Sequence, residues 1–353
     1  SIPTAGRPVL VPVRIAEATH LFLLDTGAEI TVFDWSFEDG LTPLPGYIKL
    51  ATTSQPHNLP RFQTPQALIG PLKLANLDYV VCMDLSDLRR VTGYDIKGIL
   101  GMDFLQHHVV RLDFDRGKLS FLTSPGPQAG SAVPIKFVQT RLPSITVKFG
   151  TKRREQALLD TGADSSGAIG RQLFDELRKS EELQVCGEAL FSTASGVTRL
   201  QEAKVASLKL GEFRHESLIM TESDHTLLGL GYLSRYVVTF DFPGRVMYLQ
   251  QGARFAVLDK HDLSGLHLLR VDGKAVVHLV DPRSPAALAG LSSGDIIQEI
   301  DGEKAQPLDM YTIRRMLSLP GKQRQLIVQR GSESRRSVLS LAESTHAAKS
   351  NSK

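Results

Sequence analysis

Two cysteines, Cys82 and Cys186, are all that the 353-residue chain holds. They form neither a CxxC pair nor a disulfide framework, and free buried thiols are the expectation. Charge of one sign is missing too. The 41 basic and 38 acidic residues leave a formal +3, and no long Lys/Arg run appears, which argues against a polyanion and hence against nucleic acid as partner. No apolar run approaches the length needed to cross a bilayer, so no transmembrane segment is expected in this chain. Gly and Pro, at 29 and 18 residues, are near average usage, which excludes a fibrous or low-complexity composition. Neither a phosphate-binding loop nor a cofactor motif is present, so no cofactor is expected. No metal site is expected either: His107-His108 has no Cys, Asp or Glu at ligand spacing. Ser165-Ser166-Gly167 lacks the flanking pattern of a nucleophile elbow.

What is present is a repeat. At 42% apolar residues the chain is long enough for two or three cores. Residues 21–33, LFLLDTGAEITVF, run an apolar strand into Asp25, Thr26, Gly27 and Ala28. A carboxylate there is costly unless its surroundings solvate it. The same tetrapeptide returns in QALLDTGADSSGAI, residues 156–169, with Asp160 standing 135 positions after Asp25. A second pair follows in the same order: Ile99-Leu100-Gly101 and Leu227-Leu228-Gly229, each leading through a short helical segment into a Val-Val strand. From average usage a given tetrapeptide occurs on the order of once per several tens of thousands of positions, so chance is a weak competitor. Asp-Thr-Gly is also a good turn signal, the plainer alternative. The duplicated module spans 5–123 and 134–251, joined by the linker-like TSPGPQAGSAVP.

Most of both copies reads as short strands rich in Val, Ile, Leu or Phe, among them 8–16, 20–25, 77–83, 108–114, 155–160 and 236–241, which suggests barrels. In GRQLFDELRKSE, residues 170–181, Leu173, Phe174 and Leu177 share one helical face. The first copy has only the shorter DWSFEDG at that place.

The paired Asp-Thr-Gly-Ala and apolar-apolar-Gly motifs resemble aspartic proteases of the retroviral, retropepsin-like type, in a tandem single-chain form, over roughly residues 5–250. The resemblance implies a mostly β fold of two pseudo-symmetric barrels, each donating one aspartate. It also implies that Thr26 and Thr161 lock the two loops together. Two carboxylates a few ångströms apart cannot both ionise and so share a proton, the established behaviour of aspartic proteases rather than a deduction from this sequence. One then acts as general base on a water while the other polarises the scissile carbonyl. Because the titration belongs to the pair, the sequence leaves the two roles unassigned between Asp25 and Asp160. Gly27 and Gly162 let backbone N–H groups approach each carboxylate.

Pepsin-like enzymes carry Ser or Thr as the fourth motif residue, whose hydroxyl favours the ionised carboxylate; Ala28 and Ala163 cannot do this. The dyad is therefore expected to hold its proton to higher pH, with an optimum at about pH 5 to 7. Asp164 matches the place where retroviral proteases bond substrate backbone, while Glu29 departs from it and reads equally well as an exposed acid in a turn. LFSTASGVTRL, residues 190–200, fits a substrate-covering hairpin around Ser195-Gly196. Its counterpart, residues 48–59, lacks the Gly and carries Pro56, so a shorter or deformed hairpin is expected there.

Past residue 255 the pattern changes. Ser284 can cap a helix that starts at Pro285 and stops at Gly290, Gly294-Asp295 turns into a strand, and Met310, Ile313 and Leu317 share a helical face before a last strand, QLIVQR. This resembles a PDZ domain (α+β) of the bacterial protease-associated kind over 255–341, followed by a polar, disordered tail at 342–353. PDZ domains bind extended C-termini by strand addition and capture the terminal carboxylate on backbone N–H groups. By position Gly265, Leu266, His267 and Leu268 form that loop, with Leu266 and Leu268 lining the apolar pocket and His267 facing solvent.

These features imply an aspartic endopeptidase acting on extended protein or peptide substrates, with a PDZ domain that recruits substrate or partner through a C-terminal peptide. The alternatives are a catalytically inert peptide-binding scaffold and a peptidase restricted to one partner. A chain opening at Ser1 rather than Met leaves room for a removed leader or anchor. By resemblance the expected location is the cell envelope, periplasm or exterior.

Overall fold

The structure, a computed structural model, describes residues 2–3, 6–51, 56–74, 77–127, 129–137, 141–193, 196–260, 262–319 and 321–341. Ser195 and the expected tail at 342–353 lie outside the described residues. Two compact units emerge: Ser1–Leu85 with Ile96–Val185 and Gln201–Asp259, and Ser86–Asp95 with Cys186–Leu200 and Lys260–Lys353.

The first half opens with a hairpin, β1 (Leu10–Ile15) and β2 (Ala18–Leu24), whose alternating residues Val11, Val13 and Phe22 point into the core. Then come β3 (Val32–Asp34), the tight helical turn Trp35–Gly40, and the hairpin β4 (Pro43–Ala51) and β5 (Pro56–Phe62). Strands β6 (Ala67–Ile69), β7 (Leu72–Lys73) and β8 (Val80–Met83) precede helix α1 (Ser86–Thr92). Next are β9 (Ile96–Leu100), α2 (Met102–Leu105), β10 (Val109–Asp113) and β11 (Lys118–Leu122).

The second half starts with β12 (Ser131–Pro134), β13 (Lys136–Phe137), β14 (Pro143–Phe149), β15 (Arg153–Leu159) and β16 (Gly167–Gly170). Helix α3 (Arg171–Lys179) buries Leu173, Phe174 and Leu177, the face its sequence predicts. The longer hairpin β17 (Leu183–Thr193) and β18 (Gly196–Leu210) follows, then β19 (Phe213–Ser223), β20 (Leu227–Leu228), α4 (Leu230–Leu233), β21 (Tyr236–Asp241) and β22 (Val246–Gln251).

Strand order makes the duplication visible. The sequence β4-β5-β8-β3-β9-β2-β1 in one sheet corresponds position by position to β17-β18-β19-β16-β20-β15-β14 in the other. In each, the aspartate strand runs parallel to the strand carrying the apolar-apolar-Gly motif, β2 with β9 and β15 with β20. The halves meet in a third sheet, where β10 and β21 pair antiparallel from Val109↔Asp241 to Asp113↔Val237. Buried Val110, Leu112, Val238 and Phe240 join one apolar core that draws on both halves. Each fully buried large side chain there stabilises by about 1.5–3 kcal/mol.

Pro56 does not abolish the first hairpin. It occupies the first position of β5, opposite Ala51, where a missing N–H is tolerated, and β4 absorbs a register shift between Leu44 and Tyr47. The hairpin is nonetheless shorter than its counterpart, whose strands run 11 and 15 residues. Both cysteines are free, and burial, with the Glu38 and Asp34 charges, pushes the Cys82 thiol up to about 12. His108 packs its ring among Phe104 and Phe121, at 4.6 and 5.5 Å.

In the second unit, β23 (Leu266–Val271), β24 (Lys274–Val280), α5 (Pro285–Leu288), β25 (Ile296–Ile300), β26 (Glu303–Lys304), α6 (Met310–Leu317), β27 (Lys322–Arg330) and β28 (Glu333–Leu341) enclose a second core. Ser284 Oγ accepts from Ala287 N at 3.2 Å and Gly290 adopts φ 72°, so α5 begins and ends where its capping residues dictate. QLIVQR is not the last strand: β28 pairs with it along its whole length. His267 also differs from expectation. It is buried, its Nε2 2.8 Å from Asp281 Oδ1, because the acid across the hairpin gives the ring a polar partner inside. No helix among the described residues is long and apolar enough to cross a membrane.

Candidate active site

Each Asp-Thr-Gly-Ala loop leaves its strand where the neighbouring strand ends. Asp25 N donates to Leu100 O (3.1 Å) and Asp160 N to Leu228 O (3.0 Å), so the apolar-apolar-Gly motifs hold the two aspartates directly. Their glycines are required by contact: a Cβ on Gly101 would lie 2.5 Å from the Ile30 carbonyl, and one on Gly229 2.4 Å from the Ser165 carbonyl.

Across the pseudo-twofold axis the loops lock. Thr26 N donates to Thr161 Oγ1 (3.0 Å) and Thr161 N to Thr26 Oγ1 (3.1 Å). The hydroxyls then donate onward, Thr26 Oγ1 to Leu159 O (2.6 Å) and Thr161 Oγ1 to Leu24 O (2.8 Å). Both threonines are fully buried, and all four bonds join one half to the other.

This lock brings Asp25 and Asp160 together. A Cβ on Gly27 would sit 2.7 Å from the Asp160 carboxyl carbon, and one on Gly162 2.6 Å from that of Asp25, so only glycine fits under either carboxyl. Gly27 N donates to Asp25 Oδ1 (2.7 Å), while Gly162 N and Ala163 N both donate to Asp160 Oδ1 (2.9 and 3.1 Å). The two carboxyls hydrogen-bond each other.

Burial pushes the Asp25 carboxyl well above the ordinary carboxylate range, the Asp160 charge beside it adds to the push, and the Gly27 and Ala28 N–H groups offset part of it. Asp160 is raised by burial too, but its Gly162 and Ala163 N–H donors and the Asp25 side chain pull it back. Two carboxyls this close do not both ionise, so the pair shares one proton and titrates as a unit.

Glu29 and Asp164 follow the loops as half-buried residues. Glu29 O accepts from Asp103 N (3.1 Å), which fixes its backbone. Gly196 opens β18. Gly265 adopts φ 67° against Ser284, and Leu266 and Leu268 are buried in the core of the second unit.

A residue the repeat does not carry supports the first loop. Asp103, buried in α2, accepts from Thr31 N (2.9 Å), Thr31 Oγ1 (2.7 Å) and Phe104 N (2.8 Å), and Thr31 Oγ1 accepts from Gly101 N (3.2 Å). In the second half the corresponding place holds Gly231, whose N–H bonds Ser165 O. The available signal was a lone Asp in an apolar run, Met102-Asp103-Phe104-Leu105. Asp103→Ala leaves the Thr31 donors unpaired and is expected to cost about 2–4 kcal/mol, read as a lowered thermal midpoint.

Residues 11–104 match the family model for aspartyl protease and residues 276–330 that for a PDZ domain. The first span holds Asp25 and Gly101 and ends before Asp160; the second begins after the Gly265–Leu268 loop. Among solved structures, the aspartic proteinase from Irpex lacteus is 13% identical over 72% of this chain and 98% of its own, with a TM-score of 0.49. A photosystem II D1 C-terminal processing protease is 23% identical over 27% of this chain and 26% of its own, with a TM-score of 0.23. Among curated proteins nothing matches. The chain thus joins an aspartyl-protease segment to a PDZ domain.

Proposed function

We propose that the first unit is an aspartic endopeptidase that hydrolyses peptide bonds of extended polypeptides with Asp25, Asp160 and a water. The observation that carries the reading is the carboxyl pair, each member bonded to the other and roofed by the other's motif glycine. Ionised Asp160 takes a proton from the water as its oxygen bonds to the scissile carbonyl carbon, and Asp25 gives its proton to the carbonyl oxygen. In the collapse, Asp160 passes the proton to the leaving nitrogen, a hydroxyl proton returns to Asp25, and the C–N bond breaks. No covalent enzyme intermediate forms. Strand β4, at the end of the first sheet, offers a free edge of the kind an extended substrate can pair with, and the PDZ domain supplies a second peptide-binding surface.

The test is cleavage of denatured casein between about pH 3 and 8, with and without pepstatin. Because Asp25 holds its proton and neither Ala28 nor Ala163 offers a hydroxyl, activity is expected to peak at about pH 5 to 7 and to be lost with pepstatin. A peak below about pH 3 would remove the proton-holding argument. Absence of cleavage at every pH overturns the general endopeptidase and leaves the scaffold or the single-partner peptidase.

A further inference from the structure

The PDZ unit does not stand alone: Ser86–Asp95, a segment of the first half, belongs to the same compact body. Among the described residues strand β23 pairs with β24 alone and forms the sheet edge, and the groove between that edge and α6 is where a PDZ domain adds a peptide. Helix α1 packs against both walls of that groove. Arg314 on α6 donates from Nη2 to Val91 O (2.9 Å), and Val91 is buried. Gly93, at φ 79°, lies so close to α6 that a Cβ there would meet Met310 Cγ at 3.1 Å and Arg270 Nε on β23 at 3.7 Å.

The loop at the head of the groove is also engaged from within. Ser264 N donates to Asp262 Oδ1 (2.7 Å), the Ser264 hydroxyl donates to the same oxygen, and Leu266 N donates to Ser264 Oγ (3.0 Å). The Leu266 N–H, which a carboxylate-capturing loop would offer to a peptide terminus, is thus already bonded. A chain terminus brought there would also face the Asp262 carboxyl. A second segment joins on the same side, where Arg199 bridges Glu188 (2.8 Å) and Asp281 (3.0 Å), the acid that holds His267.

We infer that this PDZ groove is a clasp on its own chain: α1 closes it in cis, and an external peptide enters only when α1 leaves. A seven-residue helix is marginal alone, so its order depends on the surface that receives it. The inference rests on reading residues 260–341 as a peptide-binding PDZ domain and is independent of the dyad.

The experiment uses the full chain. Amide hydrogen exchange over residues 88–93 and tryptic nicking after Arg89 and Arg90 are compared in wild type, Arg314→Ala and Gly93→Val, the last a strained residue aimed at Met310. In wild type the segment is expected to be protected, and each variant to raise exchange and nicking at least about tenfold while amides of β25 and β27 stay protected. An amidated, fluorescein-labelled decapeptide of apolar, extended character should bind the variants at least about tenfold tighter than wild type. Wild-type exchange at loop rates, variants as protected as wild type, or equal peptide binding by all three overturns the clasp. Cleavage of casein with an unprotected α1 would sink the clasp alone; a protected α1 in a chain that cleaves nothing would sink the peptidase alone.

Discussion

Asp25→Asn and Asp160→Asn should each lower casein turnover by about 10²–10⁴-fold with little change in KM, since each removes one half of the proton exchange without altering the shape of the cleft. The two should part company in stability. Asp25 is raised well above its unfolded value by burial and by the charge of Asp160. Its contribution to folding is therefore fully present below the unfolded carboxylate range and is lost as pH rises through the raised folded value. Asparagine stays neutral throughout and can still donate to Asp160. Asp25→Asn is thus expected to melt a few degrees above wild type near neutral pH and level with it at about pH 3. Asp160 is raised too, with its Gly162 and Ala163 N–H donors offsetting part of the rise, and should gain less from the same change, because asparagine offers those donors a poorer acceptor. Undiminished cleavage by either variant removes the dyad. An equal melting difference at both pH values removes the assignment of the shared proton to Asp25.

The features legible in the sequence are those that local chemistry imposes twice. An apolar strand running into Asp-Thr-Gly, with an apolar-apolar-Gly strand beside it, recurs because each loop needs the same parallel neighbour and a glycine where backbone passes within contact distance. Helices α3, α5 and α6 were readable from their apolar faces or caps.

What escaped depends on long-range partners. Asp103 has no counterpart in the second copy, where Gly231 bonds backbone instead, so comparing the copies passes over it. His267 is buried only because Asp281 lies across the hairpin. Pro56 looks disruptive until the pairing places it at a strand's first residue. Helix α1 offers only Leu88 and Val91 as apolar anchors, too few to announce a docking face, and its place is set by Arg314, more than 200 residues later.

The second large effect belongs to the threonine lock. Thr26→Val keeps the shape and removes the hydroxyl, leaving Thr161 N–H without its acceptor and Leu159 O without its donor, both in a fully buried site. Orphaned buried groups cost about 1–3 kcal/mol each, so the variant should lose about 2–5 kcal/mol and melt several degrees lower. Thr161→Val strands Thr26 N–H and Leu24 O by the mirror-image argument and should cost a similar amount. The two losses act on different bonds of one interface, so the double variant measures how far the halves depend on the lock beyond the β10/β21 sheet. Turnover should fall further than stability alone explains, by about 10²-fold at temperatures where the variant is folded, because a carboxyl displaced by about 1 Å no longer meets its partner. Thr26→Ser retains every hydrogen bond and loses one methyl; it should restore most of the activity. If Thr26→Val melts like wild type, the lock carries no strain of assembly. If Thr26→Ser is as inactive as Thr26→Val, packing of the methyl, not the crossed hydrogen bonds, sets the distance between Asp25 and Asp160.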